Sequence, residues 1–102
     1  MDINALMRQA QTMQKQMQKK QKEIEGKEFV VTSNGGAITV TIMGDKTVKS
    51  INIDNDLIDV DNKEMLEEMI VIAMNEAISK VEKEMNSAMS DATGGMNIPG
   101  MF

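Results

Sequence analysis

Length, composition and charge restrict what this chain can be. It has 102 residues, no Cys, His, Trp or Tyr, and a formal net charge of -5. We therefore expect one domain without disulfides, thiol or imidazole catalysis, or a transition-metal site. An acidic chain does not coat nucleic acid by overall attraction, so binding to DNA would require a local basic surface.

Nothing in the sequence indicates a membrane segment. The longest apolar run, residues 69–74, is far shorter than the about 20 residues that span a bilayer. The N-terminus lacks the basic region and apolar stretch of a signal peptide. We expect a cytoplasmic protein with no membrane partner.

Residues 2–25 are predicted to form the first helix. They contain no Gly or Pro and are rich in Gln, Lys and Met, which favour helices. Apolar residues recur at alternating steps of three and four, with Lys20 as the one break, and Gly26 is placed to end the helix. These apolar residues define the seam, which consists of Ile3, Leu6, Ala10, Met13, Met17 and Ile24.

Two strands joined by a hairpin follow. Residues 29–33 have the composition of a strand, and residues 37–43 alternate apolar and polar side chains, which indicates one buried and one solvated face. Asn34 and Gly35 between them are typical of a hairpin turn.

A third strand is predicted at residues 48–53, after a turn at Gly44 and Asp45. Ile51 and Ile53 are expected to point inward, but Val48 breaks the alternation. A β-bulge near Lys49 or Ser50 would explain that break.

The second helix is predicted to begin at Asp61, whose carboxylate would cap it together with Glu64 in a capping box, and to run to about Ser90. Its apolar face comprises Leu66, Met69, Ile70, Ala73, Met74, Ala77, Ile78, Val81, Met85 and Ala88. Residues 91–102, with three Gly, one Pro and two Met, have the composition of a flexible tail. The sequence thus predicts an α+β domain at residues 1–90, of order α-β-β-β-α with a three-stranded antiparallel sheet.

The helices are longer than the sheet. They are expected to span about 35 and 43 Å, against about 23 Å for a strand of seven residues. Their free ends, residues 3–17 and roughly 81–90, still carry apolar side chains. We therefore expect a dimer in which these projecting arms are covered by each other or by the second subunit. The packing residues assigned to the arms are Ile3, Leu6, Ala10, Met13, Met17, Val81 and Met85.

One face of the first helix is basic. At about 100° per residue, four cations share a narrow arc opposite the seam. This basic stripe consists of Arg8, Lys15, Lys19 and Lys22. Lys20 lies at the edge of the seam, where its stem can follow the apolar surface while its ammonium group reaches water. On charge alone, a solvated helix face is preferred to a phosphate-binding surface, because short Lys runs are common on exposed helices.

Short segments along the whole sequence together match the pattern of a known protein family. The matching segments are Met7-Arg8-Gln9-Ala10-Gln11 with Met13, Gln14 and Met17; Gly36-Ala37-Ile38-Thr39-Val40 with Gly44; Val48, Ile51, Ile53, Asp54 and Leu57; Met65-Leu66-Glu67-Glu68-Met69-Ile70; Ala73, Asn75, Glu76 and Ala77; and Asn97-Ile98-Pro99-Gly100-Met101-Phe102. In their order and spacing, these segments resemble the YbaB/EbfC family of bacterial nucleoid-associated proteins.

The resemblance implies a tight homodimer with tweezer-like projecting helices that binds DNA, organises the nucleoid and contributes to gene regulation. It favours the basic stripe, with Lys20 beside it, as the surface that contacts duplex DNA through backbone phosphates. The alternative is a coiled-coil adaptor or chaperone that holds apolar protein segments with Met-rich arms.

Other patterns have simpler explanations. The aspartates of residues 54–61 lack the spacing of a calcium loop and fit turns and helix caps better. Asn34-Gly35-Gly36 is not followed by a helix, so a hairpin is preferred to a phosphate loop. The serines have no histidine base. We expect no enzyme activity, no cofactor, no metal and no small-molecule substrate.

Overall fold

A computed structural model describes residues 2–92 and confirms the predicted element order. The helices and strands are α1 (Ile3–Glu25), β1 (Glu28–Ser33), β2 (Ile38–Met43), β3 (Val48–Ile53) and α2 (Lys63–Ala92). Gly26 caps the end of α1, as predicted. Helix α2 continues two residues past the predicted end at Ser90, so Asp91 and Ala92 are helical. The rest of the predicted tail, residues 93–102, lies outside the described residues.

The three strands form one antiparallel sheet in the order β1-β2-β3. The β1–β2 hairpin closes through a short 3-10 turn in which Asn34, Gly35 and Gly36 all have positive φ, of 55°, 67° and 95°. Asn and Gly tolerate this left-handed region, which explains why these residues occupy the turn. The Asn34 side chain also donates a hydrogen bond of 3.0 Å to the Met69 carbonyl, which ties the hairpin to α2.

The predicted bulge lies in β3. Thr41 pairs with Ser50 and Ile42 pairs with Val48, which leaves Lys49 as the extra residue. The bulge turns Val48 to the same face of the sheet as Ile42, because side chains otherwise alternate along a strand. The bulge therefore explains why Val48 breaks the alternation of apolar and polar residues in β3.

The core lies between α2 and one face of β1 and β2. The side chains of Ile38, Val40 and Ile42 on the central strand are fully buried. They face the small residues Ala73 and Ala77 of α2, which are also fully buried and allow the helix to approach the sheet closely.

Helix α2 packs on β1 and β2 and leaves β3 partly uncovered. Ile51 and Val48 lie on the same face as the core but are 37% and 39% exposed. The prediction that Ile51 points inward is correct for its face of the sheet, but no layer of the described chain fully covers it. Val48 and Ile51 thus form an open row of partly exposed apolar side chains on β3.

The predicted capping box at the start of α2 is wrong. A 3-10 turn at Val60–Asn62 precedes the helix, and the carboxylate of Asp59 caps that turn by accepting the Asp61 N–H at 3.0 Å. Asp59 therefore caps the turn that precedes α2. Asp61 lies inside that turn, so it is not at the position that would cap α2. Lys63 is the first residue of α2.

The molecule is strongly elongated. Its principal extents are 70 × 25 × 16 Å and its radius of gyration is 19.2 Å, against about 13 Å for a compact domain of about 100 residues. The length comes from the two helices, which project beyond one end of the sheet. No helix within residues 2–92 is long and apolar enough to span a membrane.

Candidate nucleic-acid interface

Helix α1 packs against α2 through one side only. Ile24 is buried, and Met13, Met17 and Lys20 are half-buried, while every residue from 2 to 12 is exposed. At about 100° per residue these four positions fall on one side of the helix. The packed side is therefore the predicted seam, with Lys20 included in it.

The described part of α2 reaches only partway along α1. Asp91 and Ala92, its last residues, line a shallow groove with Gln16 and Lys19. Residues 3–15 of α1 thus extend past the last described residue of α2 for about 20 Å. Of the predicted packing residues, Val81 lies in the apolar core and Met85 packs against it, Met13 and Met17 are half-buried on the packed side of α1, and Ile3, Leu6 and Ala10 are exposed.

The basic stripe lies on the side of α1 opposite the seam, and Lys19 at its edge also lines the groove beside Asp91 and Ala92. Arg8, Lys15, Lys19 and Lys22 are all exposed. None of these four cations lies within 4.0 Å of a carboxylate oxygen in residues 2–92. Their charges are accordingly available to an external anion. The stripe extends along the helix axis from residue 8 to residue 22, about 21 Å.

Most other lysines are already engaged. Ion pairs join Lys20 to Glu23, Lys46 to Glu82, Lys49 to Glu28, Lys63 to Glu67 and Lys80 to Glu84. Lys27 lies over the ring of Phe29, with its ammonium 5.2 Å from the ring centroid. Apart from the stripe, only Lys83 lacks such a contact among the described lysines.

Lys20 differs from the other four residues predicted to contact DNA. Its side chain is 43% exposed, lies on the packed side of α1 and approaches the Glu23 carboxylate at 3.7 Å. The amine reaches water next to Asp91 and Ala92 in the groove at the end of α2. Lys20 therefore lies between the seam and the stripe, and it shares this groove with Lys19.

The second helix offers no comparable basic surface. Residues 63–92 carry three Lys against seven Asp and Glu, a net charge of -4, whereas residues 2–25 carry five Lys and Arg against three acids, a net charge of +2. Lys80 donates a hydrogen bond to Glu84 at 3.0 Å, and this bond together with the lysine charge lowers the pKa of Glu84. The two helices of the arm thus differ in charge.

Aspartates in the acidic loop before α2 accept hydrogen bonds from backbone N–H groups of the same loop. The Asp54 carboxylate accepts the Asp56 N–H at 3.1 Å, and Asp59 does the same for Asp61. Within the described part of the chain, no group of three or more Asp and Glu is arranged to hold a metal ion. These aspartates act as caps of short turns.

One contact that holds the base of α1 is not predicted by the sequence. Gly44, predicted only as a turn residue, is buried, and its N–H donates a hydrogen bond of 2.9 Å to the Lys27 carbonyl just after α1 ends. Local residue patterns do not predict a contact between Gly44 and Lys27, which are seventeen positions apart. It becomes visible only once the strands are paired.

The chain matches known proteins over nearly its full length. The sequence model of the YbaB/EbfC DNA-binding family matches residues 1–96. A nucleoid-associated protein of Clostridium novyi is 51% identical over 102 residues, which cover 100% of this chain and 90% of the relative. Nucleoid-associated proteins of Clostridium acetobutylicum and Alkaliphilus metalliredigens are 47% and 45% identical, covering 98% and 99% of this chain and 89% of each relative.

A solved structure shares the fold. The crystal structure of an uncharacterized protein from Helicobacter pylori aligns with a TM-score of 0.68, covering 85% of this chain and 91% of that chain, at 22% sequence identity. At this identity the likeness concerns the arrangement of helices and strands alone. It agrees with the elongated helix-sheet-helix architecture.

Removing charge from the basic stripe should leave the fold intact. We expect Lys15→Gln with Lys22→Gln to change the free energy of unfolding by less than about 0.5 kcal/mol, because neither side chain makes a contact that folding depends on. Ile24→Ala, on the packed side of the same helix, should cost about 2–4 kcal/mol. Urea denaturation at fixed protein concentration measures both. A loss above about 1 kcal/mol for the lysine variant would contradict a freely solvated stripe.

Proposed function

Since this chain belongs to the YbaB/EbfC DNA-binding family, we propose that it binds duplex DNA as a homodimer, mainly through backbone phosphates. The protein acts at the nucleoid, where it contributes to nucleoid organisation and gene regulation. The observation that carries the proposal is the basic stripe, an exposed row of cations on a projecting helix that have no carboxylate partner within residues 2–92. The nucleoid-associated relatives support the same cellular role, and no enzyme activity is assigned.

The geometry of the stripe suits the DNA backbone. A row about 21 Å long spans about six base-pair steps of duplex at 3.4 Å per step. Three of its four cations are lysines, which act as flexible point charges and suit phosphate better than a base edge. Asn4 and Gln11 lie in the same arc and add neutral donors. Contacts of this kind position a protein on DNA with little readout of sequence.

Lys20 takes a secondary place in this proposal. Its position in the seam and its pair with Glu23 keep it off the stripe. We assign it to the groove at the end of α2, where it contacts DNA only if a phosphate enters between the two helices.

A homodimer accounts for the apolar surface beside α2. The side of α2 next to β1 carries Lys80 and Lys83, which line a groove with Val31. By helix geometry the opposite side faces β3. That side carries Val71, Met74 and Ile78, of which Val71 is 58% exposed.

The apolar side of α2 and the open row of β3 therefore adjoin. The accessible surface of 7451 Å² exceeds the about 5,700 Å² expected for a compact monomer of this mass. A second copy packed on this surface would cover both the β3 row and the exposed side of α2.

A protein-interaction module is the second candidate function. The observation in its favour is the free end of α1, where Ile3, Leu6 and Met7 are 68%, 45% and 56% exposed. Flexible Met-rich surfaces adapt to varied apolar partners. Absence of duplex binding even at low salt would favour this candidate.

Neutralising the stripe should change the salt dependence of DNA binding. If all four stripe residues of both subunits contact phosphates, the log-log slope of affinity against salt approaches about -7, since each contact contributes about 0.9. Lys15→Gln/Lys19→Gln/Lys22→Gln removes three contacts from each subunit, so the slope should become shallower by about 5. Fluorescence anisotropy with a labelled duplex measures it.

The matched control is Lys49→Gln/Lys63→Gln/Lys80→Gln, which removes the same charge from lysines that are already ion-paired elsewhere in the fold. It should shift the slope by less than about 1. Equal effects of the two triple variants would contradict the assignment of the interface to α1.

Sedimentation should show the dimer and locate its interface. We expect a species of twice the 11.3 kDa chain mass, and Ile51→Glu should convert it to monomer because a charge cannot be buried there without a partner. Asn52→Glu, the adjacent residue on the opposite face of β3, should stay dimeric. A monomeric wild type, or an Ile51→Glu variant that remains dimeric, would contradict this interface.

A further inference from the structure

The β2–β3 turn occupies the point where both helices leave the core. Gly44, at its start, is buried and donates its N–H to the Lys27 carbonyl at 2.9 Å. Lys46, two residues later, pairs with Glu82 of α2 at 3.2 Å. One short turn thus contacts the end of α1 and the middle of α2.

Gly44 has no room for a side chain. A Cβ atom built there would overlap the carbonyl of Ile24 and lie 3.0 Å from the Cα of Glu25. These are backbone atoms of the last turn of α1, which cannot rotate aside as a side chain can. Any larger residue at position 44 must therefore displace α1 or the turn.

The need for glycine here is spatial. The φ angle of Gly44 lies outside the left-handed region, whereas Gly35 has a φ of 67° and open space around its Cα. The two glycines serve different purposes. Gly35 permits a backbone conformation, and Gly44 permits α1 to approach the sheet.

The length of α1 amplifies any change at its base. Arg8 lies sixteen residues from Ile24, a distance of about 24 Å along the helix. A tilt of about 10° at Ile24 would move the backbone at Arg8 by about 4 Å, more than the about 3 Å length of a hydrogen bond. The direction of α1 therefore determines which phosphates the stripe can reach.

We propose that Gly44 is a positioning residue that sets the direction of α1 relative to the sheet, and through it the alignment of the basic stripes on DNA. The inference rests on the proposed DNA binding. Gly44 thus influences DNA binding although it carries no charge and lies outside the DNA contact surface. Its role is to bring the last turn of α1 against the β2–β3 turn.

Gly44→Ala tests the proposal, with Gly26→Ala as the matched control. A Cβ at Gly26 would lie 3.6 Å from the Lys22 carbonyl, an ordinary contact. Residual dipolar couplings of backbone amides measure the direction of α1 against the sheet, which loss of stability alone does not alter. We expect Gly44→Ala to rotate α1 by about 10° and to weaken duplex affinity at least about tenfold as phosphate contacts are lost. Gly26→Ala should change neither quantity.

The outcomes separate this proposal from the proposed function. An unchanged direction of α1 in Gly44→Ala, or a rotated α1 with undiminished duplex affinity, overturns the positioning role. If the wild type does not bind duplex DNA, the proposed function fails and the DNA half of this inference fails with it, while the couplings still decide whether Gly44 directs α1.

The wild-type protein supplies a second test that holds even if Gly44→Ala does not fold. Couplings from residues 17–25 and from the sheet should fit one common orientation frame, as a fixed contact requires. Separate frames for α1 and the sheet would overturn the positioning role.

Discussion

The fold depends on the packing of α2 against the central strand of a very small sheet. Ile38, Val40 and Ile42 find their apolar partners largely on one helix, and Ala73 and Ala77 let that helix come close. Because this is a two-layer core, the helix can cover β1 and β2 but leaves β3 open. A single helix on a three-stranded sheet is thus both the source of stability and the reason for an uncovered apolar row, which a second copy can bury.

The same packing separates the two faces of α1. The seam turns toward α2 and is buried only as far as Met13, so the seam supports the arm without needing the rest of the helix surface. The opposite side stays in water, and its four cations have no carboxylate partners among the described residues. An acidic protein can in this way present a basic surface, because its negative charge lies mainly on α2 and the loop before it.

Much of this arrangement follows from local patterns. The break in alternation at Val48 correctly predicted the bulge at Lys49, and Asn34 with Gly35 marked the hairpin. The spacing of Asp61 and Glu64 predicted a capping box for α2, but a 3-10 turn capped by Asp59 precedes the helix, and the spacing alone does not reveal that turn. The exposure of Ile51 and the close approach at Gly44 depend on how elements pack across the chain, which periodicity does not encode. The contact residues for DNA stay a prediction, since they follow from charge and direction alone.

The central claim is that DNA meets the exposed face of α1 and not its seam. The most direct test is to titrate isotopically labelled protein with a short duplex at low salt and follow the side-chain and backbone resonances of α1 by NMR. We expect the largest shifts at Arg8, Lys15, Lys19 and Lys22, and we expect added salt to reverse them. Shifts concentrated on Leu6, Met13 and Met17, or on the outer face of the sheet, would contradict it.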